Sequence, residues 1–302
     1  MRISTMTSDF DRFCNTREER IDHIYKAGFR YVDLNLCYPY KEDPLLISPN
    51  WKENAKRLRE YTESKGMKFV QAHAPSFRNP FAEDIEELVE KTIRSIYVCK
   101  ELGIENTVIH AGWKSGLTQD EFYQRTRSFC ECFFPAMEEC GVNVLVENST
   151  HANLGERAHF YKGEEMREFL DWVNHPLLHA CWDTGHGNVE GSQYGNIMAI
   201  GSHLYAIHVS DNRGVADEHM MPYNGTVNMD DLMCGLLDVG FKGYFDYEVT
   251  VLRPTGMGGR WRREFEREKR IVEPTIEMQD EVEAFLYRMA KLYLQAYDCF
   301  EE

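Results

Sequence analysis

A chain of 302 residues has room for one large α/β barrel or two ordinary domains, and its 43% hydrophobic and 28% charged residues supply a core while excluding a disordered or fibrous chain. The net charge of -16 opposes general binding to a nucleic-acid backbone, so no nucleic-acid partner is expected. There is no run of 18 apolar residues and no apolar leader in "MRISTMTSDFDRF", and the nine cysteines are odd in number and fit no zinc-ribbon spacing, which reads as a cytoplasmic protein with free thiols and no membrane contact.

Along the chain a short strand followed by a helix recurs about eight times. "RIST" (2–5) precedes the helical "TREERIDHIYKAG", and "FRYVDLNL" (29–36) precedes a helix over 51–64. "MKFVQAHA" (67–74) precedes a helix over 82–102, and "NTVIHAG" (106–112) precedes one over 118–140. "VNVLVEN" (142–148) leads to a shorter helix over 163–173, "LLHACWD" (177–183) to "YGNIMAIG", and "LYAIHVSD" (204–211) to "NMDDLMCGLLDVG". "GYFDYEVT" (243–250) is the last strand, and a closing helix covers about 273–297. Glycine repeatedly stands between a helix and the next strand, as in "KAGFRYV", "SKGMKFV", "ECGVNVL" and "DVGFKGYF", where a residue without Cβ ends the helix in the left-handed conformation. Strands rich in Val, Ile, Tyr and Phe that alternate with helices predict parallel βαβ units, and eight of them predict a single (β/α)8 TIM barrel spanning 1–302. An open doubly wound sheet would call for a glycine-rich phosphate turn, and the sequence has no GxGxxG.

The third to eighth strands each end in an ionisable residue: His73, His110, Glu147, Asp183, His208 and Glu248. Singly, each has an ordinary explanation. Asp183 in "CWDTGHGN" has the residue type of a helix N-cap, a histidine before Ala-Pro can be a satisfied core residue, and Glu248 can pair with an arginine. Together they ask for another one, because desolvating unpaired charges is costly and a parallel barrel brings all its strand C-termini to one face. Glu147, Asp183, His208 and Glu248 make a mixed oxygen and nitrogen donor set for one divalent ion, with Mn²⁺ preferred and Mg²⁺, Co²⁺ or Zn²⁺ compatible. Such an ion polarises a carbonyl and stabilises the enediolate formed when the neighbouring carbon loses its proton, with Glu147 and Glu248 as the acid/base pair. The loop "HVSDNRGVADEHMMPYNGTVN" adds Arg213, within reach of a substrate hydroxyl or phosphate, and the pair Asp217 and His219. The basic stretch "GRWRREFEREKR" (259–270) reads as a mixed-charge helix start, an oligomer contact, or a lid bearing Arg253 or Arg260.

The segments "QAHAPS", "VIHAG", "LVENS", "WDTGH", "HVSD…DEH…G" and "YEV", in this order over residues 67–250, resemble the xylose isomerase-like TIM-barrel superfamily of sugar (phosphate) isomerases, epimerases and endonuclease IV. The resemblance to its single-metal ketose epimerases implies metal ligands Glu147, Asp183, His208 and Glu248, the two glutamates as acid and base, and His186 and Arg213 on the substrate. Those enzymes often carry a further Glu six residues after the first ligand, where this chain has Asn153. Inosose dehydratases and hydroxypyruvate isomerases share the pattern. The resemblance to endonuclease IV implies a trinuclear zinc set over His73, His110, Glu147, Asp183, His186, His208, Asp217, His219 and Glu248. The sequence therefore leads to a divalent-metal sugar or sugar-phosphate isomerase/epimerase, possessing a substrate shell of His73, His110, His186, Arg213, Asp217 and His219 and compatible with a homo-oligomer. A metal-dependent endonuclease or an inosose dehydratase-like lyase is the alternative.

Overall fold

The computed structural model describes residues 1–37, 43–252 and 274–302. Eight parallel strands form one sheet, in the order β7-β6-β5-β4-β3-β2-β1-β8. They are β1 (Arg2–Met6), β2 (Tyr31–Asn35), β3 (Lys68–His73), β4 (Asn106–His110), β5 (Asn143–Glu147), β6 (Leu178–Asp183), β7 (Leu204–His208) and β8 (Tyr244–Tyr247). A parallel bridge between Val209 and Tyr247 joins β7 to β8, with Glu248 N donating to Val209 O at 3.1 Å. The sheet thus closes into the (β/α)8 barrel that the strand and helix alternation predicts.

The helices are α1 (Arg17–Ala27), α2 (Pro44–Ile47), α3 (Trp51–Ser64), α4 (Glu86–Leu102), α5 (Gln119–Glu131), α6 (Phe134–Cys140), α7 (His151–Leu154), α8 (Gly163–Val173), α9 (Thr184–Glu190), α10 (Gln193–Ile200), α11 (Met229–Asp238) and α12 (Ile276–Ala296). The long helix expected over 118–140 is two, because Pro135 lies in the first turn of α6, where its missing N–H is tolerated, and would break a continuous helix. The helix expected from 82 starts at Glu86. The closing helix starts at Ile276, capped by the Thr275 hydroxyl, and Glu273 lies outside the described residues, as do Arg253, Arg260 and the basic stretch 259–270. Of the glycines in those motifs, Gly28 and Gly141 end α1 and α6 in the left-handed conformation, and left-handed Gly66 and Gly240 stand one residue past the C-caps of α3 and α11; Gly103 ends α4 in the same way.

Side chains along each strand alternate between the helices and the barrel interior. Ile109, Val144, Val146, Ala180, Trp182 and Ile207 belong to the large core under the helices. The positions between them face inward. Val108, Leu145, Cys181 and Ala206, one from each of β4 to β7, form a separate small apolar cluster. Two residues further along the same strands stand His110, Glu147, Asp183 and His208. The same step of two carries Gln71 to His73 and Asp246 to Glu248. The inner layer at the strand C-termini is therefore polar by register.

Candidate metal centre

The strand ends do meet. Donor atoms of Glu147, Asp183, His208 and Glu248 all lie within 4.8 Å of one another. His208 Nδ1 is 2.8 Å from Glu147 Oε1 and 3.0 Å from Glu248 Oε2, so carboxylates from β5 and from the end of β8 converge on one ring nitrogen. Burial alone would push both carboxyls up, yet facing His208 holds Glu147 well below the usual carboxylate range and Glu248 down at about 2. Asp183 is pushed up to about 6 by burial, against the pull of His186.

Asp183 resolves the question its motif poses, because it is both cap and candidate ligand. It ends β6 and is the N-cap of α9, its Oδ1 accepting from His186 N at 2.6 Å, while its buried Oδ2 has no hydrogen-bond partner. Gly185 does not make a sharp turn, as α9 begins directly after Asp183. A Cβ at 185 would instead run into Ser210 Oγ, so the missing side chain lets α9 pack against the chain leaving β7. That helical turn carries His186 back over the site, where its Nδ1 lies 2.9 Å from Asn148 O.

Two further donor groups flank the first: His73, His110 and Glu147 on one side, and His186, Asp217 and His219 on the other. A carbonyl oxygen only accepts, so the contacts of His186 Nδ1 with Asn148 O (2.9 Å) and His219 Nδ1 with Glu248 O (2.9 Å) fix hydrogen on Nδ1 in both rings, while His73 Nδ1 meets Ala74 O (3.0 Å) and the Cys37 thiol (2.9 Å). Their Nε2 atoms then face carboxylates, with His186 at 3.1 Å from Asp217 Oδ2, His219 at 3.1 Å from Asp217 Oδ1, and His73 at 3.6 Å from Glu147 Oε2. A bare ring nitrogen against a carboxylate oxygen is repulsive unless a second proton or a cation lies between them. Burial disfavours the proton, but the carboxylates outweigh it: Asp183 and Asp217 hold His186 well above the ordinary imidazole range, and Asp217 raises His219 to about 10. Asp183 Oδ2 is buried with no hydrogen-bond partner, while Glu147 Oε2 and Asp217 Oδ1 meet only histidine ring nitrogens, His110 Nε2 at 2.7 Å and His219 Nε2 at 3.1 Å. A buried carboxylate oxygen is normally satisfied, so the bare Asp183 Oδ2 fits a divalent cation held by the central donor group.

His110 is the most open of the set, with 42% of its side chain exposed; its Nε2 is 2.7 Å from Glu147 Oε2 and its Nδ1 2.9 Å from Ser76 Oγ. Arg213 is not brought to the cluster. Its side chain is 60% exposed and its guanidinium engages Glu218 in its own loop. Asn153, at the position where the resembling epimerases carry Glu, donates to Asp217 Oδ2 at 2.8 Å. Sequence reasoning passed over Asn148, whose side chain clamps the end of β6 by accepting from Asp183 N (2.5 Å) and donating to Asp183 O (3.0 Å). It also passed over Asp33, Gln71 and Asp246, buried in the layer beneath the donors. The period of two along a strand, counted inward from His73 and Glu248, would have found Gln71 and Asp246.

This geometry gives likenesses to known proteins something to be weighed against. Residues 21–271 match the family model described as xylose isomerase-like TIM barrel. The chain belongs to that family. An uncharacterized protein, y4fM, of Sinorhizobium fredii is 24% identical to this xylose isomerase-like barrel over 263 residues, covering 77% of the chain and 81% of the relative. Among solved structures, a D-psicose 3-epimerase in the presence of D-fructose superposes with a TM-score of 0.76 at 16% identity, covering 97% of this chain and 99% of that one. An AP endonuclease of family 2 from Brucella melitensis gives 0.67 at 17% identity, with 87% and 98% covered. At these identities the structural likeness speaks for the fold. No helix among the described residues is long and apolar enough to cross a membrane.

Proposed function

We propose that this xylose isomerase-like barrel is a divalent-cation-dependent isomerase or epimerase of a small sugar or sugar phosphate, working by proton transfer at a carbon beside a carbonyl. The observation that carries this reading is the approach of Glu147 and Glu248, from β5 and the end of β8, to the same nitrogen of His208. Two carboxylates rooted on different strands can address the two faces of a substrate lying between them, one removing a proton and the other delivering it. Glu147, Asp183, His208 and Glu248 would hold the cation, which supplies electrophilic stabilisation to the oxyanion that develops as the proton leaves. Asp183 is locked by its capping bond and by Asn148, so the donor set is preorganised by the backbone of β6 and α9. His186, His73 and His110 border the cluster and would contact substrate hydroxyls.

A second reading draws on a specific observation, the two additional donor groups around Glu147 and Asp217. A site that takes three cations suits phosphodiester hydrolysis of the endonuclease type, while the charge of -16 opposes a nucleic-acid substrate. One experiment separates the two readings. The protein is loaded with Mn²⁺, incubated with a panel of ketoses in D₂O, and assayed in parallel on DNA containing an abasic site. Deuterium uptake at carbon with one bound cation per chain is the expected result. Incision of the DNA with three cations bound, and no uptake, would replace the first reading with the second.

A further inference from the structure

Beneath the donor layer the barrel floor is divided. On β4 to β7 it is apolar, but on β2, β3 and β8 it carries Asp33, Gln71 and Asp246, all buried. Unlike polar residues at the mouth, these face neither solvent nor the open side of the site, and burying two carboxyls without a purpose is costly. Their contacts converge on one point. Gln71 Nε2 lies 2.7 Å from Asp33 Oδ2, 2.9 Å from Asp246 Oδ2 and 2.8 Å from His208 Nε2. Asp33 Oδ2 is 3.8 Å from the same ring nitrogen. The opposite edge of the ring, Nδ1, faces Glu147 and Glu248.

We propose that Gln71, gripped from both sides by Asp33 and Asp246, is a positioning residue that fixes the ring of His208 with Nδ1 toward the two glutamates and Nε2 toward the barrel floor. A donor nitrogen must be bare, which puts the hydrogen of neutral His208 on Nε2, and that hydrogen needs a fixed acceptor. Both hydrogens of the Gln71 amide are taken by Asp33 and Asp246, so its nitrogen stands fixed against Nε2, and the carboxylate oxygen nearest the Nε2 hydrogen is Asp33 Oδ2 at 3.8 Å. The amide occupies the space into which Nε2 would have to rotate. The three residues touch no open part of the site and act only through His208. The inference rests on the reading of Glu147, Asp183, His208 and Glu248 as a cation centre, and the test keeps the two apart.

Gln71→Met removes the amide at nearly constant shape. Two measurements are made on the full chain: Mn²⁺ affinity by calorimetry, and the ring orientation of His208 in a crystal structure of the cation-free variant. The expected results are a dissociation constant weaker by about tenfold or more and a His208 ring that is turned or split between orientations. An unchanged ring together with Mn²⁺ affinity within about twofold of the parent would overturn the proposal. Should Gln71→Met not fold, Asp33→Asn, which keeps shape and loosens the grip on the amide, is read by the same two measurements: a turned ring and weaker Mn²⁺ binding support the proposal, and no change in either overturns it. If the parent protein takes up no Mn²⁺, the cation reading falls, while the crystallographic arm still decides whether Gln71 sets the ring.

Discussion

Asp183 shows how one carboxylate can serve two ends. Its Oδ1 caps α9 through His186 N, and its Oδ2 stays buried and unpartnered in the donor cluster. A capped carboxylate has little freedom left, so the cap orients the free oxygen. Glu147 and Glu248 are different, since the ring of His208 rather than a backbone amide faces them, and in the proposed reaction they are the pair that exchanges the proton. Replacing either by Gln keeps shape and hydrogen-bonding capacity but removes the base. Glu147→Gln and Glu248→Gln should each lower ketose turnover by about 10²–10⁴-fold, measured as deuterium uptake at carbon under saturating Mn²⁺. A large residual rate in either variant would remove that residue from the acid/base pair. The residues flanking them were legible as a set because ionisable groups ended strand after strand. Asp33 was not, because its strand ends in Asn35 rather than an ionisable residue, and inside a strand a polar residue looks the same whether it faces a helix or the barrel axis.

Among the elements, β6 has a chemical end and a structural end. Asp183 closes it at the mouth, and His179 lies near its start, stacked on Tyr205 of β7 with ring centroids 3.6 Å apart. Burial lowers the His179 pKa from 6.5 to about 4, so the folded protein holds this ring neutral where the unfolded chain protonates it. The contribution to stability is therefore fully present above pH 6.5, declines as pH falls toward 4, and is constant below that. The slope in that window is at most about 1.4 kcal/mol per pH unit. His179→Phe keeps the stacking partner and should flatten the stability curve between these limits, read by urea unfolding at a series of pH values. An equally steep decline in the variant would place the acid sensitivity in other groups. The helix after β6 was missed from sequence because "TGHGN" carries two glycines, normally poor helix formers; packing decided otherwise, with Gly185 against Ser210 and Gly187 against Trp182 leaving no room for a side chain.

For the molecule as a whole, closing the barrel concentrates like charge. Glu147, Asp183, Asp217 and Glu248 are gathered at one rim, and their mutual repulsion and desolvation oppose folding. A cation that binds only the folded chain offsets this by mass action. Thermal unfolding should therefore shift down on treatment with EDTA and recover with added Mn²⁺, by about 2.7 kcal/mol when the free ion exceeds its dissociation constant 100-fold, or several degrees for a chain of this size. The same shift should be absent in an Asp183→Ala chain, and its persistence there would locate the stabilising ion elsewhere.

The barrel was legible in the chain alone, since period-two strands and glycine-ended helices are local signals, and eight repeats leave few ways to bury parallel strands on both faces. So was the identity of the residues that stand at the strand ends. Closure of the sheet was needed to bring these ends within 4.8 Å of one another and to carry Gln71 across the interior to His208. Most of those contacts join residues far apart in the chain, and their geometry depends on strand register and the packing of opposite walls, which no local pattern records.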